Sequence, residues 1–426
     1  MAALFLLNSL TIGGSERKIV RVANALRQAG HDIHLAYLSA PHTLRAELDP
    51  ELPAIHLNRS GKFSLAAVTR LKRYIIAQNI SHVACVNLYP LLYAKAVAWQ
   101  LGKRAPIISS LVNTTDFHSL KDELQMLLYA PLLRRTASLV FGCRLQQQQW
   151  CARYGLAAAS SRVIYNGVDQ SHFSPEAVTQ TREQLRRLYG LPADAFITII
   201  VGQLRPEKRQ TDLIRALAAV ASRGQQVHAL VVGEGVCRGE IERCIVDLGV
   251  RDSVHLMGVR ADVRPFLMAA DVFVLSSTAV ETFSNAALEA MAMGLPVVLS
   301  RVGGAAEMVE AGRNGFLFSP GNVDELAGNI AALAGDRDLT RKMGVAATNR
   351  IRDSFSFENA WRISFPALSS RKQFHAIGRK GIRSCLPATH RVPGRSINRL
   401  LHSCTVNFSC ECTQDTTRRS ALRPLQ

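Results

Sequence analysis

Two glutamates, Glu281 and Glu289, stand eight positions apart in the stretch 278–300. Glu281 falls in the turn after a predicted strand, Val272–Leu275, and Glu289 falls in a short alanine-rich helix that Ser284 can cap. A loop at the C-terminal end of a parallel strand, opening into a helix N-terminus, is where open α/β sheets bind ligands and anions. The pattern indicates a ligand site, although the residues alone fit an ordinary helix with two solvated glutamates equally well.

Three glycine-containing loops occur at other strand-to-helix junctions. Gly13-Gly14 precedes the first predicted helix, where two glycines allow backbone N–H groups to approach a phosphate or a sugar. A second loop carries Arg205 and Lys208, whose fixed cations suit a diphosphate without a metal ion. The third loop, Gly303-Gly304, falls one strand–helix unit after the two glutamates, so two helix N-termini can be neighbours. Each loop alone is also compatible with a tight turn or a solvated basic segment.

The elements that must position these loops alternate along the chain. Short apolar runs typical of buried parallel strands, such as Leu4–Leu7 and Phe196–Val201, alternate with amphipathic segments of helical period. The alternation ends near Ile164 and restarts after the turn-rich segment Asn166–Pro175, with a helix predicted at Ala177–Tyr189. This pattern predicts an α/β protein with two doubly wound, Rossmann-like domains, each with a mostly parallel sheet.

We place the domains at residues 1–168 and 169–365, followed by a third segment at 366–426. The third segment has no helical or strand period and mixes Arg, Ser, Thr, Pro and Cys, which predicts a basic, disordered tail. Residues 371–426 contain 11 Lys and Arg against 2 Asp and Glu, which is half of the formal net charge of +18. The folded body is therefore moderately basic, which suits nucleotide phosphates or an anionic membrane surface.

The composition excludes several classes of protein. In a chain of 426 residues, 48% of them hydrophobic, no apolar run reaches the about 18 residues expected of a transmembrane helix. The N-terminal residues Met1–Leu10 lack a basic region and a cleavage site, so we expect a first strand rather than a signal peptide. Nine cysteines, without metal-ligand spacing in the first 370 residues, favour free thiols in a cytoplasmic protein. No recognised motif or aromatic platform accompanies the basic charge, so nucleic acid is not an expected partner.

Taken together, these residues resemble the retaining glycosyltransferases of family 4, whose fold is GT-B. The resemblance spans roughly residues 8–355, and its most specific part is Glu281-Thr-Phe283-Ser284 with Glu289-Ala-Met-Ala, similar to that family's E-x7-E signature. The supporting motifs are Gly13-Gly14-x-Glu16, Ile164-Tyr-Asn166-Gly167-Val-Asp169, Leu204–Lys208 and Gly303-Gly304-x-x-Glu307. Motifs in this order imply two Rossmann-like domains that face a cleft.

The resemblance implies a metal-independent hexosyltransferase that uses no cofactor. In such an enzyme Arg205 and Lys208 would bind the donor's diphosphate. Glu281 would contact the transferred sugar and Glu289 the ribose hydroxyls, since a carboxylate can accept a pair of hydrogen bonds. Retention would follow from attack on the same face, with the leaving phosphate as the base. The residues implied to bind the donor are Gly13, Gly14, Asn166, Phe283, Ser284, Glu289 and Gly303.

Three positions depart from the family's pattern. Gln203 stands where members often carry Arg, and Arg205 is the candidate replacement. A histidine often follows the fifth strand; here Asn113 fits the register and His118 lies nearby, so both are candidates for contacting the sugar or the acceptor. The pattern of a closing helix that crosses back onto the first domain is lost after Trp361.

The expected donor is a nucleotide-diphosphate sugar, with UDP favoured, and the expected acceptor is a glycan or a lipid-linked molecule on the first domain. Two basic-apolar segments, Gly61–Tyr74 and Leu127–Arg135, either lie on an anionic membrane surface or pack in the core with solvated basic edges. We expect a role in cell-surface polysaccharide or lipopolysaccharide synthesis, in the cytoplasm or peripherally at the inner face of the cell membrane. The alternatives are a GT-B protein that binds a nucleotide-sugar or lipid without turnover and, more distantly, a nucleotide-sugar epimerase.

Overall fold

The computed structural model describes residues 2–11, 13–112, 120–279 and 281–360, of which 120–123 by backbone alone. The strands of the first half are β1 (Ala2–Leu7), β2 (Ile33–Tyr37), β3 (Ala54–His56), β4 (Ile80–Val86), β5 (Ile107–Val112), β6 (Ser138–Phe141) and β7 (Ser161–Val163). Its helices are α1 (Gly14–Gln28), α2 (Leu65–Ala77), α3 (Leu88–Leu101), α4 (Leu120–Arg134) and α5 (Arg144–Tyr154).

The second half repeats this alternation. Its strands are β8 (Phe196–Val201), β9 (Val227–Val232), β10 (Val254–Gly258), β11 (Val272–Leu275), β12 (Val297–Ser300) and β13 (Gly315–Phe318). Its helices are α6 (Arg182–Leu188), α7 (Gln210–Ala221), α8 (Arg238–Asp247), α9 (Arg264–Ala269), α10 (Asn285–Ala292), α11 (Ala305–Met308), α12 (Val323–Gly335) and α13 (Arg337–Ser354).

Within the described ranges the strands form two parallel sheets. Their orders are β3-β2-β1-β4-β5-β6-β7 and β10-β9-β8-β11-β12-β13. Each order runs outward from the first strand of its half in one direction and then in the other, which is the doubly wound arrangement. The predicted α/β class with two Rossmann-like halves is therefore confirmed. Ligand sites in such sheets lie outside the C-terminal ends of the strands, where the order reverses.

Both faces of each sheet are buried. In β1, Leu4 and Leu6 belong to the core on one face, while Phe5 and Leu7 belong to the core on the other. Successive side chains of a strand point to opposite faces, so a strand covered by helices on both sides is apolar at every position. The second sheet also has a hydrophobic core on each face.

The helix predicted at Ala177–Tyr189 is wrong at its start. The structure has a short 3-10 turn at Pro175–Ala177 and begins α6 only at Arg182. Thr181 accepts a hydrogen bond from the N–H of Gln184 at 3.3 Å, and the Gln184 side chain accepts one from the N–H of Thr181 at 2.8 Å. This capping box sets the first turn of α6 and excludes the preceding residues from it.

After α13 the chain returns to the first half. Val168 N–H donates to Phe355 O at 3.0 Å, and Phe357 N–H donates to Val168 O at 2.9 Å. Gly167 permits this approach, since a Cβ there would lie 2.7 Å from the Cα of Phe357. Residues 357–360 are helical, and Phe357 packs against the core of the first sheet. The described part of the chain therefore begins the crossing that the family resemblance implies.

Several predictions from the sequence concern residues outside the described ranges. These are the candidates Asn113 and His118, the loss of pattern after Trp361, and the basic tail at 366–426. The described residues form one compact unit that contains both sheets, so the division at residue 168 stays a prediction. No helix among the described residues has the length and apolar character that crossing a membrane requires.

Candidate functional site

A cleft of about 360 Å3 lies between the two halves of the described structure. Its walls come from the N-terminal part of α1, the loop after β8 and the first residues of α10. Gly13 and Gly14 lie on the first wall, Gly202 and Gln203 on the second, and Glu289 on the third. The fold thus brings two glycine loops and one of the paired glutamates to a common space at the C-terminal ends of the strands.

Helix α10 is positioned by its cap and by small side chains. Ser284 Oγ accepts a hydrogen bond from the N–H of Ala287 at 3.2 Å, which confirms the predicted cap. The first residue of the helix, Asn285, lies so close to α1 that a Cβ on Gly14 would be 3.3 Å from its Nδ2. The positive N-terminal end of α10 therefore faces the cleft, where it favours anionic groups.

Glu281 lies in the loop between β11 and α10, and its carboxylate forms an ion pair with the ammonium group of Lys208. Gly303 holds the backbone of this loop. Its φ of +55° lies in the left-handed region, and a Cβ there would be 1.8 Å from the carbonyl oxygen of Glu281. Gly304 N–H adds a hydrogen bond of 2.8 Å to Thr282 O. Gly303-Gly304, the second Gly-Gly motif of the chain, therefore fixes the position of Glu281.

The loop after β8 carries the two cations predicted to bind a diphosphate. Ser276 Oγ lies 2.9 Å from the carbonyl oxygens of both Lys208 and Arg209, which holds the end of this loop against β11. The side chain of Arg205 is 55% exposed, whereas Gln203 lines the cleft. The structure thus places Lys208 against the glutamate loop and leaves Arg205 at the solvent edge.

Three cations of α1 that belong to none of the predicted site motifs also line the cleft: Arg17, Lys18 and Arg21. They follow Gly14 at spacings of three, four and seven residues, which places them on one face of the helix. This spacing is the signal that could have identified them. Lys18 Nζ donates to Asn166 Oδ1 at 2.8 Å, and burial lowers the pKa of Lys18 to about 8.

Glu289 lies in the same cleft as these cations. Burial raises the pKa of Glu289 to about 7, and the nearby charges of Arg21 and Arg17 offset only part of this effect. The ionised carboxylate is therefore poorly solvated in the cleft, and a ligand that donates hydrogen bonds to it would be bound favourably. A carboxyl group with a strongly raised pKa inside a cleft is typical of a functional site.

Two residues predicted to bind the donor have protein partners for their side chains. Asn166 accepts the hydrogen bond from Lys18 and donates from Nδ2 to Phe283 O at 2.8 Å. The side chain of Phe283 is buried, and its ring centroid lies 5.0 Å from that of Tyr165 and 5.3 Å from that of Phe355. Both residues therefore connect the two halves of the cleft. Because the side chain of Phe283 is buried, Phe283 would contact a ligand through its backbone.

Glu307, the glutamate of the second Gly-Gly motif, also joins the two halves. Its carboxylate accepts hydrogen bonds of 3.0 Å from the N–H groups of Arg144 and Leu145, the first residues of α5. Tyr165 donates to the same carboxylate at 2.8 Å, and burial together with this contact raises the pKa of Tyr165 to about 12. A carboxylate at a helix N-terminus stabilises that end, so this motif positions one half against the other.

The remaining candidates are Asn113 and His118, which lie outside the described residues. Among the residues that the structure describes, no group of three or more His, Cys, Asp or Glu side chains is placed to hold a metal ion. The described cysteines Cys85, Cys143, Cys151, Cys237 and Cys244 are free thiols, as the sequence analysis expects.

Comparison with known proteins gives matches along most of the chain. A family model described as Glycosyltransferase Family 4 matches residues 12–172, and one described as Glycosyl transferases group 1 matches residues 195–336. An uncharacterized glycosyltransferase of Methanocaldococcus jannaschii is 30% identical over 50% of this chain and 55% of its own length. The GDP-mannose-dependent α-(1-6)-phosphatidylinositol monomannoside mannosyltransferase of Mycolicibacterium smegmatis is 29% identical over 72% of this chain and 80% of its own. The crystal structure of Anabaena HepE in complex with UDP matches with a TM-score of 0.76 and 25% identity, covering 86% of this chain and 99% of that one.

Proposed function

Because the chain belongs to glycosyltransferase family 4 and has the GT-B fold, we propose that it is a retaining hexosyltransferase. The proposed donor is a nucleotide-diphosphate sugar, and the proposed acceptor is a glycan or a lipid-linked molecule. The observation that carries this proposal is the ion pair of Lys208 with Glu281 on the loop that leads into α10, whose Glu289 lines the cleft. A nucleotide-sugar needs a fixed cation for its diphosphate and carboxylates for its hydroxyl groups, and this site holds both.

UDP is the nucleotide that we favour, and its support is the UDP complex of the similar Anabaena protein. In the proposed complex the diphosphate lies against Lys208 and the N-terminus of α10, and Glu289 accepts hydrogen bonds from the ribose hydroxyls. An ammonium group has three N–H donors, so Lys208 can keep Glu281 in place while it binds a phosphate oxygen. Arg205 adds positive charge from the solvent edge of the same loop.

The proposed reaction breaks the bond between the anomeric carbon and the diphosphate oxygen. A hydroxyl oxygen of the acceptor forms a new bond on the same face of that carbon, and its proton passes to the departing phosphate oxygen. Negative charge grows on the diphosphate as the bond breaks, so Lys208 and Arg205 stabilise the transition state more than the bound substrate. We propose that the reaction is metal-independent because these fixed cations can supply that electrostatic role.

Helix α4 supports a membrane-facing position for the acceptor side. Leu124, Leu127 and Leu128 are 66%, 74% and 58% exposed, and their spacing places them on one face of the helix. Leu65, at the start of α2, is 73% exposed. Exposed leucines with basic neighbours such as Arg134 are typical of interfacial helices. We propose that the protein works at the anionic inner face of the cell membrane, in cell-surface polysaccharide or lipopolysaccharide synthesis.

A screen of nucleotide-sugars by thermal stabilisation, followed by NMR of the product, tests this function. The true donor should raise the unfolding temperature by mass action, and the new linkage should keep the anomeric configuration of the donor with EDTA present. Inversion of configuration would refute the retaining mechanism. Stabilisation by a nucleotide-sugar without transfer or hydrolysis would instead support the non-catalytic binding protein.

A further inference from the structure

A second cleft, of about 460 Å3, opens at the opposite end of the strands of the second sheet. Asp271, which immediately precedes β11, and Gly294–Pro296, which immediately precede β12, line it. It therefore lies at the N-terminal ends of these parallel strands, whereas the proposed donor cleft includes Gly202 and Gln203, just after the C-terminal end of β8. The two clefts lie at opposite ends of the strands, so two ligands can occupy them at once.

Asp271 supplies one negative charge but contacts three guanidinium groups. Its Oδ2 lies 2.8 Å from Arg186 Nη2, and its Oδ1 lies 3.1 Å from Arg337 Nη1. Arg182 forms a further ion pair with the same Oδ1. The side chains of Asp271 and Arg186 are only 10% and 8% exposed, so water screens these charges weakly. Arginine stays protonated in proteins, and these four residues therefore have two positive charges in excess.

The excess charge lies where a ligand can reach it. Arg186 is directed inward, because its guanidinium also donates to the backbone carbonyl oxygens of Ala269 at 3.1 Å and Ala193 at 2.6 Å. Arg182 and Arg337 have side chains 35% and 47% exposed, and both line the cleft. A guanidinium has five N–H donors, so each can bind an anion while it keeps its bond to Asp271.

We propose that this cleft binds a phosphorylated small molecule, with its phosphate on Arg182, Arg337 and the neighbouring Arg341. A phosphate monoester carries a charge of about −1.5 to −2 at neutral pH, which balances the excess, whereas a carboxylate supplies only one charge. The cleft is also lined by the first turn of the 18-residue helix α13, where Asp338 pairs with Arg341 at 2.9 Å. These two residues cancel in charge, so the excess of two positive charges is unchanged. The volume of the cleft is that of a small-molecule site, about 300–1,000 Å3, rather than that of a lone oxyanion.

Hydrogen exchange of the full-length chain, with inorganic phosphate against chloride at equal ionic strength, locates the binding without any substitution. Phosphate should slow exchange at residues 337–341 and at 293–297. Slowing confined to the loops at 203–208 and 281–287 would place the anion in the donor cleft and overturn the proposal. Titration with glucose 1-phosphate should then give tighter binding than phosphate alone; equal affinity for the two would overturn the claim that the cleft takes a small molecule around the phosphate.

Variants give an independent test by calorimetric titration of phosphate. The double change R182Q/R337Q should raise the dissociation constant about tenfold or more, since it removes two charged hydrogen-bonding groups. Arg352→Gln is the matched control on the same helix, with a side chain 65% exposed, and it should leave phosphate binding unchanged. If the double variant fails to fold, Arg341→Ala replaces it, because that side chain is 74% exposed. An unchanged dissociation constant in a folded cleft variant would overturn the proposal.

Discussion

Replacing Glu289 with glutamine removes a carboxyl group whose pKa is raised by burial from an ordinary value of 4.5 to about 7. Between these values the folded state holds the proton more tightly than the unfolded state does. The resulting stability is complete below pH 4.5 and is lost as the pH rises through about 7. The difference corresponds to at most about 3 kcal/mol. Because the cleft is open to water, we expect about 1–2 kcal/mol.

Without donor, Glu289→Gln should therefore increase the free energy of unfolding by about 1–2 kcal/mol above pH 7, and the gain should vanish below about pH 4. With donor this gain should be largely or wholly offset, because the variant binds the donor more weakly. Glutamine has one acceptor group where the carboxylate has two, and losing a charged hydrogen bond costs about 1.5–3 kcal/mol, or about 10–100-fold in affinity. A donor at about 100 times the wild-type dissociation constant stabilises the wild type by about 2.7 kcal/mol, but the variant by about 0.4–1.4 kcal/mol.

Urea unfolding from pH 4 to 8, with and without the donor, measures both effects. Glu242→Gln is the matched control, since Glu242 is half exposed on α8 and pairs with Arg238; it should change neither quantity beyond a few tenths of a kcal/mol. A variant that is no more stable than wild type above pH 7 would refute the burial argument for Glu289. Donor stabilisation of wild-type size in the variant would refute the contact with the ribose.

Three further predictions follow from the same geometry. Lys208→Ala should lower kcat by about 100-fold or more in steady-state assays, because it removes a cation from the diphosphate. Arg205→Ala, at the solvent edge, should lower kcat by less than about tenfold. Equal losses of kcat in the two variants would contradict the different roles given to these cations. Gly303→Ala should lower the free energy of unfolding, measured in urea, by more than about 3 kcal/mol, since a Cβ there meets the Glu281 loop. The control Gly321→Ala should lower it by only about 1–2 kcal/mol, because Gly321 has a φ of +77° but open space around it. Leu127→Ser should weaken co-sedimentation with anionic liposomes about tenfold; binding insensitive to this change and to salt would argue against the membrane-facing role of α4.

Patterns within short stretches of the chain were enough to predict much of this protein. Apolar runs predict Phe196–Val201 and Val272–Leu275 with the bounds that the structure has, because a buried parallel strand is a continuous apolar run. The cap at Ser284 was also predictable, since a cap needs only the N–H three residues further on. The helix start predicted at Ala177 is wrong because a signal just as local, the capping box of Thr181 and Gln184, begins the helix at Arg182.

The partners of the site residues could not be predicted in this way. Lys208 meets Glu281 across 73 positions of sequence, and Lys18 meets Asn166 across 148. Glu307 belonged to a motif expected at a ligand, yet its carboxylate caps a helix of the other half. Such pairs depend on strand order and on how the two halves pack, and neither leaves a pattern along the chain.

Residue type and spacing along the chain therefore account for the two doubly wound halves, for the position of each loop at a strand end, and for the kinds of group that those loops carry. The folded arrangement alone accounts for the cationic face of α1 in the cleft, for the solvent position of Arg205 and for the raised pKa of Glu289. The physical reason is the separation along the chain of the residues that determine each property. Secondary structure and capping depend on residues a few positions apart, whereas burial and electrostatics sum over atoms that only tertiary packing brings together.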